Sequence, residues 1–250
     1  MQIKHVPTID ARYWTAIIVA SMCGANSGDF LARYLDLGHV RGLLPLALVF
    51  FAILWAERRS RVPTELYYWL AIIVLRTGAT NLADLATHDL KLGYLVFEAG
   101  LAVFLIAIVA WDRTNAPVLQ QPAGVGGTIP ATNNFYWVAM LTAGTLGTAL
   151  GDYTADIVGL GVDFGSVVLM AIFGGVLTIS LLLGHMTKPW YWFSIVAART
   201  AGTTMGDFLA SKKGAGLGLP TSLACTAFLL TMIIVAWKSS PSPMAADGRA

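Results

Sequence analysis

The stretch YWTAIIVASMCGANSGDF, residues 13–30, contains the pattern that decides the fold. A Tyr-Trp pair opens it, Asp29 lies fifteen residues after the tryptophan, and Gly38 lies nine residues after the aspartate. The same features recur at the same offsets three more times, so the chain contains four copies of one unit. The pairs begin at Tyr13, Tyr68, Tyr136 and Tyr191, the acids are Asp29, Asp84, Asp152 and Asp207, and the glycines are Gly38, Gly93, Gly161 and Gly216.

The spacing between the copies divides the chain into two halves. The tryptophans are 55 residues apart within each half, whereas 68 residues separate the second from the third. The additional length is a polar stretch rich in proline and glycine, which favours a flexible connection. We therefore predict a first half over residues 1–111, this connection over 112–134, a second half over 135–238 and a disordered tail over 239–250.

The composition is typical of a membrane protein. Hydrophobic residues make up 56% of the 250 residues and charged residues only 12%, about half of the ~25% usual in soluble domains. Each copy holds two apolar segments, and two helices return the chain to its starting side. The predicted fold is therefore all-α and integral to the membrane, with four parallel two-helix repeats in two pseudo-symmetric halves. The eight transmembrane helices are predicted over residues 13–35, 42–56, 66–88, 94–111, 134–157, 164–184, 189–211 and 217–237.

The distribution of positive charge predicts the orientation. Nine lysines and arginines lie on the side of the chain termini and five on the other, which predicts cytoplasmic termini for a multi-pass protein of the bacterial inner (plasma) membrane. The Tyr-Trp pairs are then expected at the cytoplasmic interface as an aromatic belt, and the histidines near helix ends. The expected partners are the lipid bilayer and a small ion or molecule. No basic block indicates nucleic acid, and a homo-oligomer is compatible with the sequence. The histidines are His5, His39, His88 and His185.

The four aspartates are the strongest candidates for function. At about 1.5 Å per residue, each lies about 22 Å from its tryptophan, inside a hydrocarbon core of about 30 Å. Ionisable groups at such depth face the bundle interior or a water-filled cavity. Small residues four apart precede each acid and allow close helix packing. We expect the four acid-bearing helices to form a central cluster with the other four outside. The small pairs are Gly24/Gly28, Ala79/Ala83, Gly147/Gly151 and Gly202/Gly206.

Further polar residues accompany these acids. Arg76 and Arg199 stand eight residues before an aspartate, too far to contact it on the same helix, so each is expected to meet another repeat's aspartate or a substrate anion. The candidate substrate- or ion-binding residues are Asp29, Asp84, Asp152, Asp207, Arg76, Arg199, Thr80, Thr148, Thr203, Asn26, Asn81 and Glu98, with the four aspartates as candidate metal ligands.

These residues favour a proton-coupled secondary transporter of a cation such as Mn²⁺, Ca²⁺ or Mg²⁺, because oxygen ligands suit these ions. The two arginines would then be charge-balancing gates. Two alternatives remain open, namely a non-transporting scaffold or sensor with a structural Asp-Arg network, and a transporter of a small organic anion or zwitterion bound by the arginines. An enzyme is not expected, since GxSxG and HExxH motifs are absent. No cofactor is expected apart from a divalent cation as substrate.

The repeat resembles that of bacterial membrane proteins with four tandem two-helix repeats of unknown function, each with a characteristic tryptophan. The matching tryptophans are Trp14, Trp69, Trp137 and Trp192, and Gly-Asp followed by Phe or Tyr recurs at residues 28–30, 151–153 and 206–208. The second copy departs from this pattern with Ala83-Asp84-Leu85. The resemblance implies the architecture over residues 7–237 and no activity. A shorter resemblance, to manganese/calcium–proton exchangers with Glu-x-Gly-Asp, lacks the glutamate, whose place is taken by Asn26, Ala149 and Thr204.

Overall fold

Eight long helices dominate the computed structural model, which describes residues 6–62, 64–117 and 126–237. In chain order they are α1 (Ala11–Asp29), α2 (Gly38–Arg59), α3 (Leu66–Asp84), α4 (Tyr94–Trp111), α5 (Asn134–Asp152), α6 (Gly161–Leu183), α7 (Lys188–Ala210) and α8 (Leu219–Ala236). The prediction of eight helices is confirmed. The predicted disordered tail over 239–250 lies outside the described residues.

Three of the helices change geometry directly after their aspartate. One turn of π-helix follows α1, α3 and α5, over Phe30–Tyr34, Leu85–Asp89 and Tyr153–Ile157 respectively. The helix α7 has no such turn and remains α-helical to Ala210. Turns of this kind are frequent at functional sites. In these three helices the π turn begins at the residue directly after the aspartate.

The odd-numbered helices form a closed ring around a central axis. Both α1 and α5 pack against α3 and α7. Each even-numbered helix packs on the outside of the following odd one, so that α2 covers α3, α4 covers α5, α6 covers α7, and α8 closes the ring on α1. The expected central cluster of acid-bearing helices is therefore present.

Small residues bring the inner helices close together. At each of the four interfaces, the residue five positions before one aspartate faces the residue eight positions before the next repeat's aspartate. A Cβ added at Gly147, for example, would stand 2.7 Å from the Arg199 Cβ. The second copy has alanine instead of glycine, and the residue that it faces is itself a glycine. The pairs are Gly24 with Arg76, Ala79 with Gly144, Gly147 with Arg199, and Gly202 with Ser21.

The outer helices leave a broad apolar surface exposed. Large apolar side chains on α2, α4 and α6, such as Leu44, Val96 and Leu182, are 67%, 80% and 81% exposed. Within the described ranges, five helices are long and apolar enough to cross a membrane, namely α2, α3 with its π turn, α4, α6 and α8. The helices α1, α5 and α7 carry more small and polar residues, and other helices surround them.

The connection between the halves is partly ordered, so the prediction of a flexible segment over residues 112–134 is wrong for its described part. Strands β1 (Asn115–Pro117) and β2 (Gly126–Pro130) pair antiparallel, and β3 (His185–Met186) joins β2 in parallel. Residues 118–125 of the connection lie outside the described ranges. The Lys188 Nζ also donates to the Asp112 Oδ2 at 3.0 Å, which ties α7 to the end of α4.

Candidate functional site

The four repeated aspartates line one cavity of about 170 Å³ within the ring of inner helices. The residues four positions before these aspartates line the cavity as well. Each inner helix therefore contributes one acid and, one turn nearer the chain termini, one smaller residue. A space of this size holds several water molecules. The eight residues are Asp29, Asp84, Asp152, Asp207, Ala25, Thr80, Thr148 and Thr203.

The cavity opens at the end of the molecule opposite the chain termini. Arg33, His88 and Asp156, each four residues after an aspartate, also line it. The Arg33 side chain is 62% exposed and the His88 side chain 47%, so this rim is in contact with solvent. These three residues were not among the predicted site residues, although each continues the four-residue spacing along its helix.

The four acids differ in their cationic partners. The Asp29 Oδ1 lies 3.4 Å from the Arg33 Nη2. The two carboxylate oxygens of Asp84 lie 3.7 Å from the His88 Nδ1 and 3.6 Å from the Nε2 of His39 on α2.

Asp152 and Asp207 have no such partner. Among the described residues, no lysine, arginine or histidine nitrogen lies within 4.0 Å of either carboxylate. Within the described ranges, the Asp152 Oδ2 is also buried without a hydrogen bond. These two acids therefore differ from Asp29 and Asp84 in having no positively charged neighbour among the described residues, which makes them the first candidates to bind a cation or a proton.

The carboxylates do not form a ready-made metal site. Across residues 6–62, 64–117 and 126–237, no three His, Cys, Asp or Glu side chains are grouped closely enough to hold one metal ion. An ion in the cavity would therefore keep part of its water shell, as Mg²⁺ usually does in proteins.

Arg199 is completely buried and binds two of the threonines that line the cavity, Thr80 and Thr148. Its Nε donates to the Thr148 Oγ1 at 3.0 Å, its Nη1 to the Ser21 carbonyl at 2.8 Å, and its Nη2 to the Arg76 carbonyl at 3.0 Å. The Nη2 also donates to the hydroxyl of Thr80. One side chain thus joins all four inner helices.

Arg76, the second buried arginine, points away from the acids. Its Nη2 approaches the Met140 Sδ at 3.8 Å, one helical turn nearer the termini, and its Nε and Nη1 are buried without hydrogen bonds in the described structure. Within the described ranges neither arginine forms an ion pair with an aspartate, so that part of the prediction is wrong: hydroxyl and carbonyl groups bind Arg199, and Arg76 turns the other way. Neither arginine lines the cavity.

A ring of tyrosine hydroxyls closes the axis at the end nearest the termini. The Tyr13 hydroxyl lies 3.0 Å from that of Tyr68 and 2.6 Å from that of Tyr191. The Tyr136 hydroxyl lies 2.7 Å from that of Tyr68 and 3.0 Å from that of Tyr191, which completes the ring.

These tyrosines are at most 2% exposed and their tryptophan neighbours at most 7%. The prediction of an aromatic belt is therefore wrong, since a belt residue lies at the lipid–water interface. The sequence did contain the signal for the ring. Each tyrosine stands sixteen residues before an aspartate, four steps along the same helix face.

Three other predicted site residues lie outside the cavity. The Asn26 Nδ2 donates to the Ser222 Oγ on α8 at 2.7 Å. The Asn81 side chain packs beside Gly28 and Gly42, and Glu98 is buried on α4 with its Oε1 free of hydrogen bonds within the described ranges. The asparagines stand three rather than four residues before an aspartate, which turns them toward a neighbouring helix.

The predicted position of the histidines at helix ends holds for three of them, and His5 lies outside the described residues. His185 lies at the end of α6 and is exposed. His39 and His88, in contrast, lie beside Asp84, so they belong to the site rather than only to an interface. No feature of the repeat pattern pointed to His39, because it comes from an outer helix.

Comparison with protein-family models gives one match, to a repeat of unknown function (DUF347), over residues 12–62, 135–188 and 190–241. These residues cover the first, third and fourth copies, while the second copy, with its divergent Ala83-Asp84-Leu85, folds into the same helix pair without being matched. Comparisons with curated proteins and with solved structures gave no match. Since the matched residues span more than half of its length, the chain belongs to the DUF347 family of repeat proteins of unknown function.

Proposed function

We propose that this is a multi-pass inner-membrane protein in which all eight helices cross the bilayer. The exposed apolar surface of the outer helices supports this, because lipid is the solvent that such a surface favours. The inner helices α1, α5 and α7 are less apolar and would cross inside the outer ones. The excess of positive charge on the terminal side supports cytoplasmic termini. The arrangement is then four parallel repeats in two pseudo-symmetric halves.

The proposed activity is proton-coupled secondary transport of a cation through the aspartate cavity. One observation carries it: four acids, one from each repeat, line a single cavity, and two of them have no cationic partner among the described residues. Carboxylates gathered in one small cavity repel one another unless a cation or protons neutralise them. A cation and a proton would therefore compete for the same groups, which is the basis of exchange.

The proposed substrate is a divalent cation that keeps part of its water shell. Oxygen ligands from carboxylates and threonine hydroxyls suit Mg²⁺, Mn²⁺ or Ca²⁺. The cavity volume leaves room for water between the ion and the aspartates.

The proposed barrier to transport lies between the cavity and the tyrosine ring. Arg199 joins the four inner helices on the side of the cavity that faces the chain termini, and the ring of tyrosine hydroxyls closes the axis still nearer the termini. The positive charges of Arg199 and Arg76 offset part of the negative charge of the four aspartates. Passage to the other side would need these contacts to rearrange, as alternating access requires.

Two observations weigh against the alternatives. An organic anion bound by Arg199 would have to displace four hydrogen bonds, and Arg76 does not line the cavity. A structural network of Asp-Arg pairs would need ion pairs between the aspartates and the buried arginines, and none is present in the described ranges.

Transport in liposomes tests the proposal. Purified protein is reconstituted with a trapped pH indicator, and gradients of Mn²⁺, Ca²⁺ and Mg²⁺ are applied in turn. We expect one of these gradients to drive a pH change that Asp152→Asn abolishes. Asp163→Asn is the matched control, because Asp163 is an exposed acid on α6 that does not line the cavity. Normal exchange by Asp152→Asn would refute the assignment of the site.

A further inference from the structure

The outer surface carries an apolar groove of about 530 Å³ between α2 and α5, with α3 at its floor. Phe51 on one edge is 54% exposed and Val138 on the other is 45% exposed, so the groove opens toward the outside of the bundle. Its lining extends along α2 from Leu43 to Leu54, a distance of about 16 Å. One leaflet of a hydrocarbon core is about 15 Å thick, so the groove matches the length of a lipid acyl chain.

The floor of this groove is unfilled at Gly78. A Cβ added there would meet no neighbouring group within 4 Å, although Gly78 itself is buried. At Gly147, by contrast, an added Cβ would overlap the facing helix. The protein's own side chains therefore leave room at the deepest part of the groove for a group from outside the chain.

The end of the groove nearest the chain termini borders exposed positive charge. Phe51, Trp55 and Arg59 stand four residues apart on one stripe of α2, so Arg59 continues the edge that Phe51 forms. The guanidinium carbon of Arg59 lies 4.3 Å from the centre of the Trp55 ring. Arg61 is exposed just beyond the end of the helix. Both arginines thus lie where the groove would reach the membrane surface.

The acids closest to these arginines in the sequence do not expose a compensating charge. Glu57 is 3% exposed, and the Glu65 Oε2 lies 2.6 Å from the Arg12 Nη1. Arginine binds phosphate groups in a bidentate manner, and anionic lipids attract basic residues next to a membrane-spanning helix. The charge at this end of the groove is therefore complementary to the headgroup of an anionic phospholipid.

A matching groove elsewhere in the molecule lacks this charge. It measures about 390 Å³, lies between α6 and α1, and shares three pairs of lining residues with the first groove at an offset of 123 residues. The pairs are Phe50/Phe173, Leu54/Leu177 and Trp137/Trp14. The positions of Arg59 and Arg61, however, are taken by Leu182 and Gly184, and Asp10 lines this second groove. The two grooves thus share their apolar walls and differ in charge.

We propose that the groove between α2 and α5 binds one anionic phospholipid, with an acyl chain along the groove and the phosphate on Arg59 and Arg61. The groove between α6 and α1 does not select an anionic lipid, because it has no equivalent of the two arginines. This inference rests on the proposed membrane location, and it is independent of transport and of the aspartate cavity.

Native mass spectrometry of the protein in mild detergent tests the headgroup site. The protein is mixed with equal amounts of phosphatidylglycerol and phosphatidylcholine of the same chain length, and the lipids retained by each chain are counted. We expect one phosphatidylglycerol, preferred about 25-fold over phosphatidylcholine, at about fivefold for each arginine. Changing Arg59 and Arg61 together to glutamine should abolish the preference. Arg41→Gln, an exposed position at the other end of α2, should keep it.

Filling the groove tests the position of the acyl chain. Gly78→Leu places a side chain in the open space and should lose the retained phosphatidylglycerol, while Gly100→Leu, at an open and exposed glycine of α4, should retain it. Equal retention of the two lipids by the wild type, a preference that survives the double arginine change, or retention by Gly78→Leu would overturn the proposal. A dimer that Gly78→Leu converts into a monomer would also overturn it, since the occupant would then be a second copy of the chain.

These measurements need no ion gradient. A protein that exchanges cations in liposomes but retains both lipids equally would contradict the lipid site alone. A protein that selects phosphatidylglycerol but exchanges no cation would contradict the proposed transport alone.

Discussion

Replacing tyrosines of the ring with phenylalanine should lower the free energy of unfolding. The losses of single, double and fourfold variants should follow a pattern that only a closed ring of four hydroxyls produces. A Tyr→Phe change keeps the aromatic packing and removes one hydroxyl, which takes part in two of the four hydrogen bonds. Side-chain hydrogen bonds inside membrane proteins contribute ~0.6 kcal/mol on average, so one replacement should cost about 1.2 kcal/mol.

The double variants then distinguish neighbours from opposite members. Replacing Tyr13 and Tyr136, which do not contact each other, removes all four bonds and should cost about 2.4 kcal/mol at the same value per bond. Replacing the neighbours Tyr13 and Tyr68 removes three bonds and should cost about 1.8 kcal/mol. Replacing all four should cost no more than the opposite pair.

Unfolding by SDS titration from mild detergent micelles measures these free energies. The comparison that matters is between the opposite pair and the fourfold variant, since both leave no bond of the ring. A fourfold variant destabilised by about twice as much as the opposite pair would refute the ring, because the hydroxyls would then act independently.

Three further outcomes are expected elsewhere in the molecule. Gly24→Ala should lower the free energy of unfolding by about 1–3 kcal/mol, because the added Cβ would overlap a side chain of α3; the same change at the open, exposed Gly100 should cause no loss in SDS titration. Burial raises the pKa of Asp112, but hydrogen bonds from Thr114, Lys188 and others outweigh this and hold it below the usual value. Its stabilising effect should therefore be complete above the unfolded-state pKa of about 3.9 and be lost as pH falls through the lower folded value. Asp112→Asn should thus lower the thermal midpoint at neutral pH and flatten its fall below about pH 4, and an unchanged acid limb would contradict this. Asp29→Asn should weaken the cation-driven pH change in liposomes less than Asp152→Asn does, because Arg33 already forms an ion pair with Asp29. Equal losses in the two variants would contradict the distinction between acids with and without a cationic partner.

The four-residue spacing of the repeated side chains explains which features of the fold and of the site could be predicted from the sequence. Because Tyr13, Asp29 and Arg33 stand at multiples of four along one helix, the offsets that define the repeat also define the face that meets the axis. The helix positions, the central cluster and the convergence of the acids follow from that series. The contacts of the tyrosines follow from it too, but the frequent occurrence of aromatic residues at membrane interfaces suggested another interpretation.

Features that depend on other helices were not predictable from the repeat. His39 reaches Asp84 from an outer helix, and only the packing of α2 on α3 brings them together. The partners of Arg199 include two backbone carbonyls, which no side-chain pattern reveals. The sheet in the connection likewise depends on pairing between β2 and β3, which lie in distant parts of the chain.

Binding of Mn²⁺ to the purified protein, followed by electron paramagnetic resonance, tests the central claim most directly. We expect one saturable ion per chain that remains partly hydrated, is displaced by protons or by Ca²⁺ and Mg²⁺, and is lost when Asp152 and Asp207 are both changed to asparagine. Asp163→Asn should bind as wild type. Binding that survives the double change, or an absence of saturable binding in the wild type, would contradict the account.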